Sequence, residues 1–174
     1  MKQFIVFLGL LIVFVSCKQD AKKMIVTSEK KAATELKIKL YNYEQLAPLL
    51  AKKDAKTYVV NFWATWCKPC VKELPYFEKL YATYKKKNVE VVLVSLDFPN
   101  QVESRLIPFV KKKQLQSKVV LMADPDQDTW IPKIDKDWSG AIPATLIYNK
   151  ESRVFYEKSF HYDELEKEVL KFLK

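Results

Sequence analysis

Glycine is almost missing from this chain: only Gly9 and Gly140 occur in 174 residues. Walker-type loops and dinucleotide fingerprints need several glycines, so that backbone can approach phosphate. Both are excluded. Histidine is scarcer still, with His161 alone, and cysteine occurs only as Cys17, Cys67 and Cys70. A structural zinc takes four ligands, usually from two cysteine or histidine pairs. Beside Cys67 and Cys70 only His161 and the distant Cys17 are on offer, so a zinc knuckle fails on ligand supply unless carboxylates complete it. Covalent haem attachment needs a histidine directly after the second cysteine, and Val71 stands there. No arginine-rich stripe, RNA-binding signature or zinc finger accompanies the net charge of +9. The lysine runs 85–87 and 111–113 instead close predicted helices, where cations complement the macrodipole. No nucleic-acid partner is expected.

What is present is an apolar content of 49% and an aromatic content of 13%, enough for one compact domain with a real core. The N-terminus has a different character. Lys2 is followed by the apolar run from Phe4 to Val15 and then by Ser16 and Cys17. A positive start, a short apolar stretch and a small residue before a cut site describe a secretory signal. The run falls short of the roughly 20 apolar residues that span a bilayer. The small residue before Cys17 resembles the lipobox of bacterial lipoproteins, although Phe14 and Val15 depart from its usual residues. That resemblance implies cleavage before Cys17 and a lipid on its sulfur; ordinary cleavage nearby would leave a free thiol instead. The expected organisation is a lipoprotein-type signal peptide over 1–16, a flexible lysine-rich tether over 17–33 and a folded domain over 34–174.

Within that domain, Leu36 to Leu40 alternates as a short strand. Asn42 with Gln45 predicts a capped helix carrying Leu46, Leu49 and Leu50, with Pro48 opposing a regular one. Thr57 to Trp63 reads as a buried central strand. A helix follows from about Cys67, with Val71, Leu74, Phe77, Tyr81 and Tyr84 on one face and a kink at Pro75. Val89 to Phe98 is a second strand, with Asp97 at its end expected to cap the following loop. Gln101 to Gln114 is a helix bent or delayed by Pro108, and Val119 to Met122 a short strand. Asp128 to Trp138 is ambiguous between a turn of helix and a loop. Ala144 to Tyr148 and Val154 to Ser159 form a hairpin around Asn149 to Ser152. A last helix opens at Asp163, Glu164 and Glu166 and closes at Lys167, Lys171 and Lys174. Its buried face is Leu165, Val169, Phe172 and Leu173. Strands alternating with helices, then a hairpin and a final helix, imply an α/β mixed central sheet covered on both faces.

Cys67 and Cys70 sit three apart at the junction of a strand and a helix. A purely structural staple across so small a loop removes little chain entropy and strains a helix start. Thiol chemistry suits the position better. A sulfur at the helix start faces unpaired N–H groups and the positive end of the dipole, which stabilise thiolate. Lys68 adds positive charge, and Pro69 suits a first turn because it has no N–H to leave unpaired. In this reading Cys67 attacks a partner's disulfide and the deeper Cys70 resolves the mixed disulfide. Glu73 shares the helix face of Cys70 and is either a proton acceptor for that thiol or a solvated surface residue. Trp66 either shields the active thiol or packs. Trp138 lines the groove or the core. His161 reads as a helix-start residue.

The segment Phe62-Trp63-Ala64-Thr65-Trp66-Cys67-Lys68-Pro69-Cys70, then Glu73 and Pro75, resembles thioredoxin-fold proteins, in particular membrane-tethered TlpA/ResA-type reductases. Gly140-Ala141-Ile142-Pro143-Ala144-Thr145 carries the second part of the resemblance, which covers roughly residues 35 to 174. It implies a thioredoxin-like fold with an N-terminal extension strand and helix. It also implies a cis Pro143 that keeps the groove open and metal away from the sulfurs, with Ile142 offering its backbone to a substrate strand. Asn61 stands where thioredoxin proper has a buried aspartate; the tethered group shares this feature and has a glutamate where Glu73 stands. The catalytic set so implied is Cys67, Cys70 and Glu73, and the substrate-facing set is Trp66, Lys68, Pro69, Ile142 and Pro143. No cofactor or metal is expected. The implied activity is that of a thiol–disulfide oxidoreductase, lipid-anchored in the bacterial envelope and facing the periplasm. It would reduce exported proteins, with apocytochrome c among the candidates, and be recharged by a membrane thiol-electron transporter. Rivals are a peroxiredoxin-type peroxidase, which Trp66 directly before Cys67 opposes, and a non-enzymatic binding module.

Overall fold

The computed structural model describes residues 36–173, so the expected signal segment, the tether and Cys17 lie outside the described residues. Among the described residues six strands form one sheet: β1 (Lys39–Tyr41), β2 (Thr57–Trp63), β3 (Val89–Ser95), β4 (Lys118–Met122), β5 (Ala144–Tyr148) and β6 (Arg153–Tyr156). Their spatial order is β1-β4-β3-β2-β5-β6. The first four run parallel, while β5 pairs antiparallel with β2 and β6 antiparallel with β5. The sheet is therefore mixed, as the element order implies. The helices are α1 (Tyr43–Leu46), α2 (Lys68–Tyr84), α3 (Ile107–Lys113), α4 (Gln127–Ile134) and α5 (Tyr162–Leu170).

The two-residue period of the strands divides the core in two. Val59, Trp63, Val91, Leu93, Leu121 and Ile147 face one side, under Phe77 and Leu80 of α2, Val110 of α3 and Val169 of α5. Tyr58, Val60, Phe62, Val92, Val94 and Leu146 face the other, under Leu46 of α1 and Trp130 and Ile134 of α4. Every residue of β2 is buried, which its unbroken β-branched and aromatic run predicts for a strand covered on both faces.

Element ends differ from the sequence reading where tertiary partners intervene. The first strand is Lys39–Tyr41 rather than 36–40, because β4 offers partners only at Val120, Leu121 and Met122. The second parallel strand stops at Ser95, not Phe98: beyond it Leu96 N–H donates to Trp63 O at 2.7 Å and Asp97 turns inward. The ambiguous segment resolves into α4, capped by Asp126, and a loop that buries Trp138. β6 ends at Tyr156, where its pairing with β5 stops at Thr145. α5 ends at Leu170, short of Lys174. Leu173, expected on its buried face, is only partly buried. The capping box of Asn42 and Gln45 is formed, and the helix gives way to a 3₁₀ turn over Ala47–Leu49, which includes Pro48. Pro108, which has no N–H to donate, sits in the first turn of α3, and the chain before it widens into a π turn over Val102–Leu106.

Gly140 lies in the loop that returns from α4 to β5, with φ +90. A Cβ there would meet Ile131 Cδ1 at 3.0 Å in a conformation that L side chains avoid. Gly140→Ala is expected to cost about 1–2 kcal/mol, read as a lower urea midpoint. An unchanged midpoint would show that the loop has another conformation available.

Candidate active site

Cys67 caps a helix. β2 ends at Trp63, and the turn that follows closes with Cys67 N–H donating to Ala64 O at 3.1 Å. Cys67 then takes the N-cap position of α2 with extended backbone, φ −84 and ψ 98. Its Sγ accepts the Cys70 N–H at 3.3 Å, which places the sulfur where a serine or aspartate oxygen usually sits. Pro69 stands in the first turn, where its missing N–H leaves no orphan donor. Cys67 and Cys70 are joined as a disulfide with Cα atoms 5.3 Å apart, within the ordinary range for a bridge. The pair is asymmetric: Cys70 is wholly sealed, and Cys67 retains 5% exposure.

The loop before β5 faces the first sulfur. Ile142 O lies 3.7 Å from Cys67 Sγ, and the Ile142–Pro143 peptide bond is cis. Trp138 is buried, with ring centroids 4.9 Å from Phe62, 5.7 Å from Trp130 and 5.3 Å from Phe155. Its indole N–H donates to Ala141 O at 2.8 Å. Of the two readings for Trp138, core packing holds, and the residue braces the loop that carries Ile142. Trp66 is 46% exposed beside Cys67; Lys68 and Pro69 are exposed, Ile142 is half-buried and Pro143 is buried.

Asp97 does not cap the loop after it. Its carboxylate is buried and accepts Thr65 N–H at 3.0 Å, the Thr65 hydroxyl, and Ser95 Oγ–H at 2.8 Å. It therefore fastens the turn that carries Cys67 to the end of β3. The expectation failed because the partner lies 32 positions earlier, beyond the reach of any local pattern.

Glu73 is buried, so the solvated-surface alternative is removed. Oε1 accepts Asn61 Nδ2–H at 2.9 Å and Oε2 accepts Phe160 N–H at 2.8 Å. The Asn61 amide also reaches Thr145 Oγ1 at 3.2 Å and Ala144 O at 3.3 Å. One carboxylate thus ties α2 to β2 and to the chain entering α5. Burial pushes its pKa up to about 7, with the Phe160 and Asn61 hydrogen bonds pulling the other way. Phe160, Thr145 and Thr65 escaped the sequence reading as site-builders. Only the 145 position, directly after the Pro143-Ala144 pair, carried a local hint.

The sequence pattern of the AhpC/TSA family matches residues 30–157. A thiol-disulfide oxidoreductase ResA from Oceanobacillus iheyensis is 39% identical over 93 residues, covering 53% of this chain and 48% of its own. One of the same name from Geobacillus kaustophilus is 50% identical over 105 residues, covering 60% and 55%. The chain spans about half the length of the curated relatives it matches. The solved structure of a thiol:disulfide interchange protein from Chlorobium tepidum, described as a thioredoxin family protein, has a TM-score of 0.57. It is 23% identical and covers 68% of this chain and 81% of its own. The fold is thioredoxin-like.

A glutamate with a raised pKa has a signed effect on stability. Below about pH 4.5 both folded and unfolded forms are protonated; above that the unfolded form ionises first, and only past about 7 does the folded form follow. Stability contributed by the neutral carboxyl is therefore lost as pH rises through that window, by on the order of 3 kcal/mol in total. In oxidised protein, urea unfolding at pH 5 and pH 8 should show Glu73→Gln lacking this part of the decline. Identical declines in variant and parent would refute the buried-acid assignment.

Proposed function

We propose that this chain, which belongs to the AhpC/TSA family, is a thiol–disulfide oxidoreductase working through Cys67 and Cys70. One observation carries the reading: the leading sulfur caps a helix and faces the Ile142 carbonyl, while the second sulfur is sealed beneath it. In the reduced state the helix start favours the Cys67 thiolate, which attacks the nearer sulfur of a client disulfide and expels the other. Cys70 then attacks Cys67 Sγ, and the client leaves as a thiol. Glu73 takes the Cys70 proton in that step and returns it when the pair is reduced again. Ile142 offers backbone to an extended client segment, with Trp66, Lys68, Pro69 and Pro143 around it.

The N-terminal pattern supports a place in the cell envelope, with lipid on Cys17 and the domain facing the periplasm. Exported proteins with disulfides are the client class there, apocytochrome c among them, and a membrane thiol-electron transporter is the donor. The reductive direction follows the resemblance to membrane-tethered TlpA/ResA-type reductases; the relatives' names say thiol-disulfide oxidoreductase and give no direction. The same two sulfurs in a peroxidase form the rival reading, and Trp66 directly before Cys67 opposes it.

Cys70→Ser should accumulate a mixed disulfide between Cys67 and a client, visible on non-reducing gels and removed by dithiothreitol. Cys67→Ser should form none, and both should lose insulin reduction. Turnover of peroxide without any turnover of insulin disulfides would establish the peroxidase instead.

A further inference from the structure

A buried acid that cycles a proton needs a way to reach water. Glu73 has two sides. Toward the sheet it meets Asn61, whose amide is itself held by Thr145 Oγ1 and Ala144 O of β5. On the other side it opens into a recess of about 180 Å³ between α2 and the chain entering α5. Pro69, Lys72 and Tyr76 form one wall, and Ser159, Phe160 and His161 the other. A recess of that size has room for water, and the Glu73 carboxyl lines it.

His161 lines the same recess. It is the only histidine of the chain, and it is exposed. It follows directly on Phe160, whose N–H grips Glu73 Oε2. Its own N–H donates to Glu164 at 3.1 Å and its ring centroid lies 5.8 Å from that of Tyr76, so its backbone and ring are both held. As a helix start, the position needs a small polar cap; imidazole is an uncommon choice there. Imidazole is also the side chain that exchanges protons with water near neutrality, and it can receive on one ring nitrogen while releasing from the other.

We propose that His161 relays the proton of Glu73 to solvent through this recess. The proposal rests on the Glu73 proton role given above and extends it outward. During client reduction the Cys70 proton moves to the Glu73 carboxylate as Cys70 Sγ attacks Cys67 Sγ. The mixed disulfide breaks, the Cys67–Cys70 bond forms, and the electron pair leaves on the client sulfur. The cysteine pair is oxidised by two electrons and the client disulfide is reduced by two. Glu73 then passes its proton through recess water to one nitrogen of His161, and the other nitrogen gives a proton to bulk water. When the thiol donor reduces the pair, the path runs inward and reprotonates Cys70. The charged and titratable groups around the path are Lys72 and Tyr76 on α2, Lys158 before Phe160, and Glu164 in the first turn of α5.

The test is insulin reduction by the full chain in weakly buffered solution, with and without added imidazole. His161→Ala and His161→Gln should both slow turnover on the order of tenfold, with unfolding midpoints near that of the parent. Imidazole should restore both variants and leave the parent unchanged. Glu73→Gln should be slow and should not respond to imidazole. A His161→Ala chain as fast as the parent, beside a slow Glu73→Gln, would overturn the relay alone. Recovery of full rate in His161→Gln without imidazole would overturn it too, since glutamine keeps the shape and not the proton exchange. Parent-like rates in Glu73→Gln would overturn the Glu73 role and the relay together.

Discussion

A sulfur occupies the place where a helix usually puts an N-cap oxygen. That single contact, Cys70 N–H to Cys67 Sγ, organises the rest of the site. Half-charges at a helix start stabilise an anion most when it sits within the first turn, and Cys67 is held there from three directions. β2 delivers it from a fully buried strand, Asp97 pins the preceding turn through Thr65, and the Trp138-braced loop brings Ile142 O across from it. None of these supports belongs to α2 itself. The sheet and its loops fix the sulfur, and the helix supplies the field.

The second constraint is a carboxyl buried under α2. Burial of Glu73 works against stability at neutral pH, and the large two-faced core offsets it. In return, one side chain links three elements that share no local sequence pattern: β2 through Asn61, α2 through its own backbone, and the α5 approach through Phe160.

Much of this arrangement was legible in the sequence. The unbroken apolar run of β2, the helical spacing from Val71 to Tyr84, the Asn42–Gln45 box and the hairpin around 149–152 are local signals, and each names an element present in the structure. The cysteine pair announced a strand–helix junction for the same reason. What could not be read depends on partners far along the chain. Asp97 finds Thr65 at a separation of 32, and Glu73 finds Phe160 at a separation of 87. Strand ends at 39, 95 and 156 are set by neighbours rather than by propensity. The expected signal segment, tether and Cys17 lie outside the described residues.

The most direct test of the central claim is the rate at which iodoacetamide alkylates Cys67 in reduced protein, followed from pH 4 to 10 by mass spectrometry. A helix-capping sulfur should titrate below the free-thiol value of about 8.5 and react at pH 7 on the order of tenfold faster than free cysteine. A midpoint at or above the free-thiol value, with ordinary reactivity at pH 7, would contradict the account.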